Sequence, residues 1–109
     1  MRILFDQGTP QPLRLHLTGH SIDTVYELGW SALQNGVLLA KAEQAGYDLF
    51  ITTDQNLRYQ QNLTGRALAI LVLTTTSWPK MQPYIGRIQE AIDETQPNAY
   101  HELSFDVNR

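Results

Sequence analysis

Short apolar runs separated by helically spaced segments dominate the chain. Ile3-Leu4-Phe5, Leu49-Phe50-Ile51 and the stretch from Ala67 through Leu73 show almost no alternation of apolar and polar positions. A strand covered on one face alternates, whereas a strand buried on both faces, as in a parallel sheet, does not. These runs predict buried strands over 2–5, 48–53 and 67–73, the last the most central. Residues 21–26 instead alternate Ile22, Thr24 and Tyr26 against Asp23 and Val25. Residues 100–107 alternate Tyr100, Glu102, Ser104 and Asp106 against His101, Leu103, Phe105 and Val107. Both predict more exposed strands, the second at a sheet edge.

The segments between them carry helix signals. Thr9 followed by Pro10 predicts a helix capped by Thr9, running to about Leu17 and ended by Gly19. Residues 27–34 read as a loop. Leu38, Ala42 and Ala45 predict a helix over 37–45 that stops at Gly46, with Asn35 as its cap rather than half of an Asn-Gly hairpin turn. A short helix is predicted over 55–62, closed by Gly65. Met81, Ile85, Ile88 and Ile92 recur at helical spacing and predict one long helix, capped by 74–77, entered at Pro79 and ended by Pro97-Asn98. Strands alternating with helices predict an α/β class, a three-layer α/β/α sandwich. Its sheet is expected to be mostly parallel, of four or five strands, within a single domain spanning 1–109.

Composition narrows the function more than the fold. A chain of 109 residues suits one domain with a real core. A net charge of −3 excludes a protein that holds nucleic acid by electrostatics alone, since such domains are usually basic. With no cysteine there is neither a disulfide framework nor a thiolate metal site. No apolar run approaches the ~20 residues of a membrane span, and the first residues lack a signal-peptide pattern. A cytoplasmic protein with no membrane partner is the expectation.

Two of the buried strands end in an acid: Phe5 is followed by Asp6, and Thr52-Thr53 by Asp54. Ligands of open α/β sheets bind outside the carboxyl ends of the strands. Carboxylates crowded at one rim repel unless a proton or a cation sits between them, and hard cations such as Mg²⁺ or Mn²⁺ take such oxygens. The simpler account is that each Asp caps the turn that follows it. Glu27, at the end of the second strand, is the candidate third carboxylate. Gln7, Asn35 and Asn56 offer amides near the same rim. Arg58 is placed to face a phosphate, with Arg14, Lys41 and Arg66 as further cations. Trp30, Tyr59, Trp78 and Tyr84 are candidate exposed aromatics. His16, His20 and His101 have no metal-ligand spacing and are read as structural. No Ser/His/Asp set, Gly-rich phosphate loop or zinc pattern is visible.

Three short motifs, Phe5-Asp6-Gln7-Gly8-Thr9-Pro10, Tyr26-Glu27-Leu28-Gly29-Trp30 and Ile51-Thr52-Thr53-Asp54-Gln55-Asn56-Leu57, resemble the short PIN-like domain family, related to toxin-type PIN ribonucleases. The likeness covers roughly residues 1–75 in order and spacing. It implies that Asp6, Glu27 and Asp54 hold Mg²⁺ or Mn²⁺ and act on an RNA phosphodiester, with an antitoxin partner and a homodimer as associates. Three positions depart from the family pattern. Gln7 stands where Glu is frequent, Asn35 where many members have Asp, and Asn56 replaces the second acid of the third motif. Fewer carboxylates mean weaker cation binding. Two other classes stay open. One is a PIN-like binding module without catalysis. The other is a phospho-receiver domain, which also places an Asp after its first and third strands and a Thr or Ser after its fourth, here Thr74 to Ser77. That class normally carries a second acid beside the first, and none stands beside Asp6.

Overall fold

The computed structural model describes residues 1–57 and 66–105. Strands β1 (Arg2–Phe5), β2 (Ser21–Thr24), β3 (Leu49–Thr52), β4 (Ala69–Leu73) and β5 (Tyr100–Leu103) form one five-stranded sheet. Its order is β2-β1-β3-β4-β5, and every neighbouring pair is parallel. The α/β class and the three-layer arrangement are therefore those expected.

The apolar runs explain the layers. Side chains of a strand point alternately to opposite faces, so an unbroken apolar run supplies two cores at once. Ile3, Phe5, Leu49, Ile51, Ala69, Leu71 and Leu73 join one cluster, with Leu13, Met81, Ile88 and Ile92 packed over them. Leu4, Phe50, Ile70 and Val72 join the other, under Leu38, Leu39 and Ala42. The second face is thus covered by helix α1 (Asn35–Gln44). The first is covered by a 3-10 helix (Gln11–His16) together with α2 (Trp78–Met81) and α3 (Ile85–Asp93). Strands β3 and β4 are buried at every position, while the edge strands β2 and β5 keep exposed residues.

Local chemistry moved several boundaries. The helix expected from Thr9 is a 3-10 segment with Pro10 at its N-cap position. The Thr9 hydroxyl caps nothing in it and donates instead to the Ile51 carbonyl at 3.1 Å. Asn35 is not the cap of α1 but its first residue, the cap position falling on Gln34. The long helix expected from Met81 to Ile92 is broken. Ser77 caps α2, accepting from the Lys80 N–H, and a 3-10 turn (Gln82–Tyr84) then intervenes before α3. Pro83 is the cause, having no N–H to donate and a ring that clashes with the preceding turn. The apolar spacing survives the break, so both pieces still face the same core. Helix α3 ends at Asp93, before Pro97. Of the helix expected over 55–62, residues 58–62 lie outside the described residues, Arg58 and Tyr59 among them, as do Gly65, Asp106 and Val107.

Candidate functional site

Strand order decides where a ligand would sit. The chain runs from β1 outward to β2, then returns across β1 to β3 and continues the other way. Between β1 and β3 the winding reverses, and in open α/β sheets the crevice for ligand opens at the carboxyl ends of the strands at that point. Asp6 follows β1 directly and Asp54 lies two residues past β3, so both stand at this crevice.

Thr52, the last residue of β3 and 0% exposed, joins them. Its hydroxyl donates to Asp6 Oδ2 at 2.7 Å and accepts from the Asp54 N–H at 3.0 Å. The remaining carboxylate oxygens are held as well. Asp6 Oδ1 accepts from the Gln7 N–H at 2.8 Å, Asp54 Oδ1 from the Asn56 N–H at 3.0 Å, and Asp54 Oδ2 from the Asn35 Nδ2 amide at 3.2 Å. Each oxygen of a carboxylate can accept about two bonds, so both groups are oriented while keeping lone pairs free. Gly8 allows the turn after Asp6 to lie close over β3. A Cβ at that position would meet the Thr53 hydroxyl at 2.6 Å.

The structure thus brings Asp6, Asp54 and Asn35 together, with Gln7 and Asn56 contributing backbone N–H groups rather than their amides. It does not bring Glu27 into a third corner. Among the described residues no group of three His, Asp or Glu side chains converges to cage a metal. Glu27 is engaged elsewhere, for reasons its neighbours make plain. Glu27 Oε1 accepts from the Thr24 N–H at 3.0 Å, and the Thr24 hydroxyl accepts from the Glu27 N–H at 3.0 Å. This is the reciprocal Thr-x-x-Glu arrangement that opens a helix. Here it opens a single turn, closed when Trp30 N–H bonds to Val25 C=O and Gly29 N–H to Tyr26 C=O. Gly29, at φ 74, supplies the left-handed residue that this closure needs. Glu27 Oε2 also pairs with Arg14 at 2.8 Å. The Arg14 guanidinium and then the Thr24 N–H hold its carboxyl below the usual range.

The other cations and aromatics are mostly turned toward their own chain. Arg66 pairs with Glu43 at 3.5 Å, and the Lys41 ammonium lies 5.5 Å from the Trp30 ring centre. Trp30 stacks edge-on to Tyr47, Trp78 lies against His16, and Tyr84 against Phe105. His20, read as structural, bridges Asp93 at 2.7 Å and the Met1 amino group at 3.1 Å.

Compared with protein-family models, curated proteins and solved structures, the chain matches none. The site therefore stands on its own geometry. Two carboxylates with free lone pairs at a solvent-reachable rim fit a hard cation, which needs only one or two protein carboxylates when water and substrate oxygens fill the rest. They do not fit a softer metal, for which the rim has no imidazole or thiolate. Thr52 and Asn35 complete the arrangement. Asn35 was legible as a polar residue near the rim, whereas Thr52 reads in the sequence only as the end of a strand.

Proposed function

We propose that the chain is a divalent-metal-dependent ribonuclease of PIN-like type, with Asp6 and Asp54 as its cation-binding pair and Mg²⁺ or Mn²⁺ as the ion. The observation that supports this best is the Thr52 hydroxyl held between the two acids at the β1/β3 crevice. Such an ion supplies charge stabilisation at phosphoryl oxygens and a more acidic water. The residues around it have separate tasks. Thr52 ties the Asp6 carboxylate to the Asp54 backbone, Asn35 steers the Asp54 carboxylate, and the Gln7 and Asn56 N–H groups hold the outer oxygens. Glu27 serves the neighbouring turn and stands outside this pair. The resemblance of the three motifs to PIN-like ribonucleases supplies the polymer. An antitoxin partner, homodimerisation and a cytoplasmic location belong to the same proposal. No helix among the described residues is long and apolar enough to cross a membrane.

The test is cleavage of short RNAs with and without Mg²⁺ or Mn²⁺, with Asp54→Asn as control. Metal-dependent cleavage lost in Asp54→Asn supports the reading. Cleavage that persists in EDTA and in the Asp6→Asn/Asp54→Asn double variant overturns it. A binding module without catalysis would show no cleavage while still engaging a partner.

One observation favours a second reading: the strand order β2-β1-β3-β4-β5 is that of flavodoxin-like sheets, which include phospho-receiver domains. Against it, the Thr74 hydroxyl after β4 is engaged in donating to the Leu103 carbonyl at 3.1 Å. Incubation with radiolabelled acetyl phosphate decides between them, since a receiver retains acid-labile label on Asp54.

A further inference from the structure

Beside the Asp6 carboxylate, between the ends of β1 and β2, lies a pocket of about 240 Å³ lined by Asp6, Gln7, Thr9, Gln11, Thr24 and Tyr26. Tyr26 is 71% exposed, in contrast to the other aromatics at this end of the chain. Its backbone is nonetheless fixed, because it sits inside the turn locked by Thr24, Glu27 and Gly29. A large ring held in water by a rigid turn, with no ring of the described residues stacked on it, is a platform. The Gln7 and Gln11 amides have no hydrogen-bond partner among the described residues. The Thr24 hydroxyl accepts from Glu27 and keeps its own proton to donate. Thr9, already bonded to Ile51, closes the floor.

These features select a ligand by chemistry. An aliphatic group would make no use of the two amides or of the hydroxyl. An anion inside the pocket would meet the Asp6 carboxylate with no cation between them. A neutral planar heterocycle matches each wall, with its face on Tyr26 and its edge of donors and acceptors against the amides and the hydroxyl. The volume is below the ~300–1,000 Å³ of clefts for drug-sized ligands, so it suits one ring system rather than a stacked pair.

We propose that this pocket is a nucleobase subsite, holding one unpaired base of an RNA strand whose neighbouring phosphodiester lies at Asp6. The identity of the polymer rests on the ribonuclease reading above. A base in a duplex has its edge taken by its partner and its faces by its neighbours, so it cannot enter. The subsite therefore restricts the enzyme to single strands, loops and ends.

Binding and cleavage are measured separately. Fluorescence anisotropy in Ca²⁺ compares fluorescein-labelled hexa-adenylate with a hexamer of the same backbone lacking bases. Cleavage of the same hexa-adenylate is followed in Mg²⁺ and Mn²⁺. Tyr26→Ala should weaken hexa-adenylate binding roughly five- to hundredfold, the range of one base–aromatic stack. Tyr26→Phe should retain it, and neither variant should alter binding of the abasic strand. Gln11→Ala provides a second, smaller loss, and circular dichroism confirms that each variant is folded. The subsite is overturned if Tyr26→Ala binds hexa-adenylate as the native protein does. It is equally overturned if the native protein binds the abasic strand as tightly, or binds no RNA. Cleavage with either of the first two patterns leaves the ribonuclease reading standing without the subsite. The expected binding pattern without any cleavage keeps the subsite and removes the ribonuclease.

Discussion

Replacing Thr52 by Val exchanges a hydroxyl for a methyl of the same shape at a fully buried position, so its effect isolates the joint between the two acids. Two hydrogen bonds are removed. The one to Asp6 Oδ2, at 2.7 Å, has a carboxylate acceptor and is worth about 1.5–3 kcal/mol. The one from the Asp54 N–H, at 3.0 Å, leaves a backbone donor without its partner, at a cost of about 1–3 kcal/mol if the group stays dry. Asp54 is only partly buried, so water reaches that donor and the lower end applies. The added methyl returns about 0.8 kcal/mol of apolar burial. The expected net loss is about 2–3 kcal/mol, a fall of roughly 8–20 °C in Tm for a domain of this size. Urea unfolding followed by circular dichroism measures it, with Thr52→Ser as the comparison. Serine keeps the hydroxyl and loses only a methyl, so it should fall by about 1 kcal/mol. A Thr52→Val protein as stable as the native one, or more stable than Thr52→Ser, would refute the claim that this hydroxyl holds the two acids together.

Asn35→Asp replaces the donor to Asp54 with a second acid in the same place. At ~4 Å and an effective dielectric of ~20 the pair costs about 4 kcal/mol before screening. The variant should therefore be less stable without metal and gain more in Tm than the native protein when Mn²⁺ is added; equal gains would mean that Asn35 has no part in cation binding. Glu27 has a lowered pKa, so its contribution is present above the ordinary carboxyl range and is lost as pH falls through the folded value. Glu27→Gln should thus unfold at lower urea than native at pH 7, with the difference shrinking as pH falls below the ordinary carboxyl range, and a difference that stays constant on acidification would contradict the Arg14 pairing. Tyr47 is pushed up to about 12, first by burial and then by its bond to Asp23. A raised pKa stabilises fully below the unfolded value near 10 and ceases to do so as pH rises through 12. Tyr47 should titrate late in the 295 nm absorbance, and Asp23→Asn should bring it only part of the way down. A complete return would mean that burial is the lesser cause.

How far the sequence could be read depended on whether the deciding interaction was local. The buried strands were legible because an unbroken apolar run has few other uses, and two of them carried Asp6 and Asp54 to one rim. The break at Pro83 went unread, because the spacing of Met81, Ile85, Ile88 and Ile92 argued for continuity and a broken helix can keep its apolar stripe. Thr9 and Asn35 have the residue types of helix caps. In the fold, Ile51 and Asp54 compete for their side chains from across the sheet, and no local signal reports that contest. Glu27 looked like the third acid because it ends a strand. Its own neighbour Thr24, three residues back, and Arg14 take its oxygens instead, and the Thr-x-x-Glu spacing was the clue. The Tyr26 pocket has no signature along the chain. It exists only because β1 and β2 lie side by side and bring Gln7, Gln11 and Tyr26 to one place.

The all-parallel sheet has a consequence for how the molecule is assembled in time. No two consecutive strands meet through a tight turn. Ile3 must find Leu49, Leu49 must find Ala69, and Ile70 must find Tyr100. Every rung of the ladder closes a long loop, and the entropy of that closure is lost before any pairing returns it. Until β3 arrives, the apolar run of β1 has only the short edge strand β2 beside it, and a strand with an open flank is sticky. Refolding should therefore be slow for a chain of this length. Its yield should drop as protein concentration rises, with aggregation competing against the pairing of β1 with β3.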